Sequence, residues 1–334
     1  MSAHRRPDTS FSPVLFPEGP PVIIPHVLER SLMRRLSFLA ALFVSFVLVL
    51  PGCNLASRNR VQAINRMNEG IQLFEKNNTA GAEKALQETI QLDPKYAAAY
   101  HTLGQIYKKQ NKLVDAEKAF QGAIDNMKEE PNAEYFYDIG AVQTSQGEAD
   151  GVAASERETK YRAAINSFQE ALKLDPKLYK AHYRTGTLHE KLDEPEKADA
   201  AYRRTIELKP SYSPAFVSLG NMYIDYGFAN VAMVVLKIGA QINDTDARMW
   251  NGLGRAQFEL GQMNEAIDAY AKAKAIDPDG VDALYGLGMA YAELRKRKEA
   301  RENLELFISK AGQDTRPDLV KAARDTVARM ADVI

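Results

Sequence analysis

The side chains able to do chemistry are few and scattered. One cysteine, Cys53, stands in LPGC at 50–53, and five histidines occur, at His4, His26, His101, His182 and His189. A single thiol excludes an internal disulfide framework and any cysteine cluster around a metal. His182 and His189 are seven apart, on one helix face two turns from each other. Zinc pairs on a helix stand at i, i+4 instead, so these two read as packing residues. The chain holds no phosphate loop, nucleophile elbow or dinucleotide fingerprint. Carboxylate pairs such as Glu129–Glu130 read as solvated. With 43 Lys+Arg against 44 Asp+Glu, no basic excess points to nucleic acid. The expectation is a protein that is not an enzyme, with no cofactor and no metal.

Cys53 takes its meaning from its neighbours. Residues 36–50, LSFLAALFVSFVLVL, carry no charge and follow Arg34–Arg35. A basic pair, a short apolar core and a small residue before Cys53 form the pattern of an export signal, the core being short for a membrane span of roughly 20 residues. The ending LPGC resembles a bacterial lipobox, with Leu50 and Gly52 at their places and Pro51 a departure. The resemblance implies that Cys53 is the lipidated residue, its sulfur taking a diacylglycerol by thioether transfer before cleavage leaves it as the acylated N-terminus. The alternative is an uncleaved signal anchor in the inner membrane. Residues 1–32, with six prolines among residues 1–30, read as a leader that is absent or disordered; 33–53 is the signal and 54–62 a tether. Asn54 after the cysteine makes the periplasmic face of an outer membrane the default address in the bacterial cell envelope.

The body is periodic. Glycines recur at 70, 104, 140, 186, 220, 254 and 288, and alanines at 82, 116, 164, 198, 232, 266 and 300 keep step with them, the third unit carrying 12 extra residues. Prolines 94, 176, 210 and 278 close several units. The cleanest copy, 250–280, has Trp250, Leu253, Gly254, Gly261, Ala266, Tyr270, Ala273 and Pro278. These residues resemble the tetratricopeptide repeat, and the resemblance implies an all-α solenoid of about seven helix–turn–helix units over 63–314, wound as a right-handed superhelix. The residues themselves support it. Gly254 and Ala266 are small where two antiparallel helices would cross closely, Gly261 suits the turn between them, and Pro278 stops the second helix. Each pair is too small to bury its own apolar face, so stacking supplies the core.

The departures carry expectations too. Repeat 5 lacks its closing proline. EADGVAASERETK, about 148–160, reads as a solvated loop or a lengthened helix, with partner contact as the functional alternative. Phe307 replaces a small residue, and Leu319, Ala323, Val327 and Met330 predict a capping helix within 315–334.

In the tetratricopeptide family the inner wall of the solenoid is lined by the first helix of each unit. By that resemblance the wall comprises His101, Gln105, Lys108, Tyr137, Lys180, Tyr183, Arg184, Asn221, Asn251, Arg255, Phe258 and Tyr285, a set rich in Tyr, Arg and Asn that suits a peptide. Lys180 and Arg184 match one element of the family's carboxylate clamp. His101 and Gln105 do not match another, and Asp138 stands where an acid would repel a carboxylate. The expected function is a membrane-anchored scaffold for protein or peptide clients in the envelope, held by a lipid anchor, assisting assembly of an envelope complex and binding no nucleic acid. The alternative is a signal-anchored organiser of an inner-membrane complex.

Overall fold

The computed structural model describes residues 58–127, 131–311 and 316–331. Cys53, the export signal, Glu129–Glu130 and the leader lie outside the described residues. Within them the chain forms seven antiparallel pairs and a fifteenth helix. The first helices of the pairs (A helices) are α1 (Arg58–Glu75), α3 (Ala97–Lys109), α5 (Ala133–Gly147), α7 (Tyr179–Lys191), α9 (Ser213–Asp225), α11 (Ala247–Glu259) and α13 (Val281–Glu293). The second helices (B helices) are α2 (Thr79–Leu92), α4 (Leu113–Asn126), α6 (Ala154–Leu174), α8 (Pro195–Leu208), α10 (Ala229–Ile242), α12 (Met263–Ile276) and α14 (Arg297–Lys310), and α15 (Pro317–Ala331) follows. α1 begins at Arg58, so residues 58–62 are helix rather than tether; the NRVQA run before the repeat register has no breaker to stop the helix sooner.

The punctuation is local. The turn from A to B helix needs one left-handed residue. Asn77, Asn111, Asp193, Gly227, Gly261 and Arg295 take it, with φ between 57° and 82°. The B helices end where a residue is driven out of helical geometry by the proline after it, as at Asp93, Asp175 and Asp277. Repeat 5 achieves the same end without proline. Asn243 adopts φ −141°, ψ 97°, and its side chain accepts from the Thr245 amide and hydroxyl.

The repeat glycines have a different reason from the expected one. They do not chiefly let two backbones touch. Each is a socket for a large side chain of its partner helix. A Cβ on Gly104 would meet the Phe120 ring at 2.6 Å, one on Gly186 the Tyr202 ring at 2.8 Å, and one on Gly254 the Tyr270 ring at 2.8 Å. Leu86, Leu236 and Leu304 fill the sockets of Gly70, Gly220 and Gly288, and Phe168 that of Gly140. Ala82, Ala116, Ala164, Ala198, Ala232, Ala266 and Ala300 are fully buried beside them. The core therefore runs the length of the stack and is densest around repeats 4–6, where Tyr202, Phe216, Leu219, Tyr223, Leu236 and Met249 pack together.

A helices also pack on one another, α7 on α9, α9 on α11 and α11 on α13; the B helices have no comparable packing among themselves. The A helices are thus the tighter, inner layer and the B helices the outer one. The extra residues of repeat 3 lengthen a helix. α6 starts at Ala154 and leaves only a short turn after Gly147, with Arg157 bonding the Gly147 and Val152 carbonyls. At the far end α15 lies on α13 and α14, and buried Phe307 meets Val320 and Ala323, with Leu319, Val327 and Met330 around them. That is the packing expected of a cap. Among the described residues no helix is long and apolar enough to cross a membrane.

Candidate protein-binding groove

The expected wall residues all fall on A helices: His101, Gln105 and Lys108 on α3, Tyr137 on α5, Lys180, Tyr183 and Arg184 on α7, Asn221 on α9, Asn251, Arg255 and Phe258 on α11, and Tyr285 on α13. Their side chains do not stand equally free. Several wall rings lean on buried rings from the B helices. Tyr137 packs on Phe168 with centroids 5.5 Å apart, Tyr183 on Tyr202 at 5.8 Å, and Tyr285 on Phe307 at 5.1 Å. Phe258 is partly buried against the cluster of Ala266, Tyr270 and Leu287. These aromatics stiffen the wall as well as face the groove.

The charges pair off along it. Asp138 on α5 takes the His101 imidazole at 2.8 Å and the Lys108 ammonium at 3.2 Å from α3. Burial works against its ionisation, but those two partners outweigh burial and hold its carboxyl below the usual range. The repulsion expected of Asp138 is therefore answered within the wall, and Lys108 is committed to it. Arg255 reaches Asp225 across to α9, and Arg248 grips Asp246, the N-cap of its own helix. Lys180 and Arg184 differ. Both are exposed on adjacent turns of α7, and among the described residues no carboxylate lies within ion-pair distance of either. Asn221 lies beside α11, and the Asn251 carboxamide oxygen is buried without a hydrogen-bond partner there.

Around those two cations the structure assembles tyrosines that wall positions alone do not reveal. Tyr212, the residue before α9, stands edge-on to Tyr183 at 5.2 Å and to Tyr179 at 5.1 Å. The Tyr183 hydroxyl lies 3.3 Å from Ser218 Oγ. Burial, together with Tyr183, Tyr137 and Tyr179 nearby, pushes the Tyr212 hydroxyl up, with Arg184 opposing. Tyr179 and Tyr212 were missed because they sit at and before the first helical residue, outside the wall rule. The one available signal was their spacing of 33, which puts both at the same end of neighbouring units. The two histidines of α7 are structural. His182 Nε2 meets the Pro176 carbonyl at 3.1 Å, and buried His189 meets Glu194 at 2.7 Å through Nδ1.

A stack of helix pairs with a continuous core and a polar, aromatic inner wall defines a helical-repeat protein of the interaction class. Comparison with known families makes this specific. Models of the tetratricopeptide repeat match residues 73–136, 156–213 and 282–313, and a TPR repeat model matches 254–294, together more than half of the chain. The chain belongs to the tetratricopeptide repeat family, whose fold serves as a scaffold for protein or peptide partners. Curated relatives include the mouse superkiller complex protein 3, 25% identical over 64% of this chain and 14% of its own, and the Candida albicans peroxisomal targeting signal receptor, 25% identical over 70% of this chain and 39% of its own. The chain thus spans well under half the length of these relatives. Among solved structures, a tetratricopeptide repeat protein from Parabacteroides merdae shares the fold at TM-score 0.55 and 14% identity, covering 81% of this chain and all of that one. PilW, a type IV pilus biogenesis factor, does so at TM-score 0.52 and 18% identity, covering 66% of this chain and 96% of its own.

Proposed function

We propose that this protein is a membrane-tethered adaptor of the bacterial cell envelope that holds a segment of a client protein in the groove of repeats 4 and 5. The observation that carries the reading is Lys180 and Arg184, two unpaired exposed cations beside the Tyr179–Tyr183–Tyr212 cluster, on a wall whose other named cations are engaged. Tyrosines offer broad contact area at small entropic cost, and cations without partners give up no ion pair when a ligand arrives. The client is protein, not nucleic acid, since the chain carries no basic excess. Cys53 in LPGC would supply the tether as a lipidated N-terminus, with the periplasmic face of the outer membrane as its address. Pilus biogenesis, the role given to PilW, is the kind of assembly task this reading assigns.

Two experiments test it. Lys180→Glu with Arg184→Glu reverses two surface charges, so melting should move little while client crosslinking in the native envelope falls at least tenfold. Undiminished crosslinking by a folded double variant refutes the groove. For the tether, labelled palmitate should enter the wild type and not Cys53→Ser; equal labelling refutes lipidation, and membrane association without any label favours the signal-anchored alternative.

A further inference from the structure

The start of α1 breaks the repeat pattern in two ways. The other A helices begin at the register of Ala63, at Ala97, Ala133, Tyr179, Ser213, Ala247 and Val281, but α1 begins at Arg58. Its five extra residues, at 1.5 Å each, carry it about 7.5 Å past the point where the others start. They lie at the edge of the stack where B helices end and A helices begin. Arg60 pairs there with Asp93 and sits 4.5 Å over the Tyr96 ring, both in the connection from α2 to α3. The second break is chemical. Val61 is 49% exposed and Ile64 39%, three residues apart on one face of the helix. The same two positions hold Lys95 and Ala98 in repeat 2, Lys177 and Lys180 in repeat 4, Thr245 and Arg248 in repeat 6, and Asp279 and Asp282 in repeat 7. No other repeat puts two large apolar side chains there.

What covers this pair follows from where the chain goes. Only residues 54–57 separate α1 from Cys53, so Arg58 lies within about 18 Å of Cys53 even at full extension. The apolar run 36–50 ends three residues before Cys53. Whether acylated Cys53 or an uncleaved anchor holds the chain, the tip of α1 is the part of the stack held nearest the lipid. The charge agrees. From Asn54 to Asn68 the chain has Arg58, Arg60 and Arg66 and no acid, the first being Glu69. Arg60 shares its charge with Asp93, and Arg66 with Glu69 and Glu88, yet both side chains stay exposed and their outer N–H groups open to phosphate. A basic helix end with an exposed apolar face is the makeup of an interfacial segment.

We propose that the start of α1 is a foot on the phospholipid surface, with Val61 and Ile64 seated in the headgroup layer. The proposal rests on the membrane tether proposed for Cys53 or on its signal-anchored alternative, and it adds an orientation. A tether alone leaves the stack free to turn. A helix end seated in the surface fixes the edge of repeat 1 against the bilayer, and the groove of repeats 4 and 5 is then carried at a set height and angle above it. The apolar residues further along the same edge do not share this role. Ile276, at the end of α12, is exposed to the same 39% as Ile64, but Asp277 and Asp279 follow it and would be repelled by anionic headgroups.

The test puts a fluorescent amino acid at position 64 or position 276 of the full chain as cells process it. The protein is placed in vesicles of phosphatidylethanolamine and phosphatidylglycerol that contain brominated lipid as a quencher. The label at 64 should be quenched and the label at 276 should not. Val61→Glu should abolish quenching at 64 while the protein still floats with the vesicles, and Val61→Leu should keep both. Val61 is exposed, so both variants should fold as the wild type does, which circular dichroism checks. Flotation reports the tether and quenching reports the foot. Three results overturn the foot and leave the tether standing: a floating chain with an unquenched label at 64, equal quenching at both positions, or quenching at 64 that survives Val61→Glu. Energy transfer between labels at 64 on two chains, lost in Val61→Glu, also overturns it and makes a second copy the occupant. A chain that does not float overturns tether and foot together.

Discussion

Two glycines at the same register face different neighbours, and the difference sets the sign of a mutation. Gly252 on α11 and Gly286 on α13 are 34 residues apart. A Cβ on Gly252 would meet two methyl carbons of Leu236 at 3.1 Å; Leu236 is itself fully buried in the Gly220 socket, so it has no free space to rotate into, but the contacts ask it to give by only a few tenths of an ångström. A Cβ on Gly286 would fall inside 3 Å of three atoms of the Tyr270 ring. That ring cannot retreat, because its other side is seated in the Gly254 socket, where a Cβ would also lie within 2.9 Å of it. Tyr270 is only 6% exposed, so α12 or α13 must move instead. Both substitutions to alanine gain about 1 kcal/mol of helix propensity. At Gly252 a small squeeze leaves the net change near zero or slightly stabilising. At Gly286 an overpacking penalty of about 1–3 kcal/mol outweighs that gain, for a net loss of up to about 2 kcal/mol. In a chain of this size that corresponds to a fall of up to roughly 8 °C in melting temperature. The assay is thermal and urea unfolding by circular dichroism, with hydrogen exchange of α12 and α13 to catch local opening in a stack that need not melt as one unit. Tyr270→Leu, which copies the Leu236 arrangement, should rescue Gly286→Ala. Equal stability of the two alanine variants, or no rescue, refutes the reasoning that ring against helix sets the cost.

Arg295 is the bulkiest residue in a left-handed turn, at φ 57°, where repeat 6 has Gly261 at 74°. Arg295→Gly should stabilise by about 0.5–1 kcal/mol, the relief of left-handed strain less the entropy glycine adds to the unfolded chain, as read by urea titration. Glu194 governs acid sensitivity. Burial favours its neutral form, but hydrogen bonds from Lys197, His189 and Arg162 more than offset this and lower its carboxyl to about 2. A folded value below the unfolded 4.5 means the stabilisation is complete above pH 4.5 and is lost as pH falls toward 2. His189, lowered by burial despite Glu194, adds a loss of the same sign once pH drops below its ordinary 6.5. Glu194→Gln should flatten the wild-type decline between pH 4.5 and 2, measured by urea midpoints across pH.

The succession of glycine, alanine and proline at 34-residue spacing was enough to establish helix pairs, their turns and a capped stack. Those features depend on contacts within one unit, and each unit repeats the same demands. Phe307 and the Leu319, Ala323, Val327, Met330 pattern even told where the stack would need a cap, because an apolar stripe with no further repeat to cover must be covered by something else. The inserted stretch of repeat 3 was legible only as two alternatives. Packing of Tyr161, Ala164 and Phe168 into the stack anchors α6, and the helix-favouring run before them then extends it. What lies between units was not legible. That His101 and Lys108 both bond Asp138 and that Tyr212 stands edge-on to Tyr183 depend on side chains about one repeat apart meeting at particular distances. Those distances follow from how one helix pair is rotated on the next, and that rotation is settled by the packing of many side chains at once, which no single window of sequence contains.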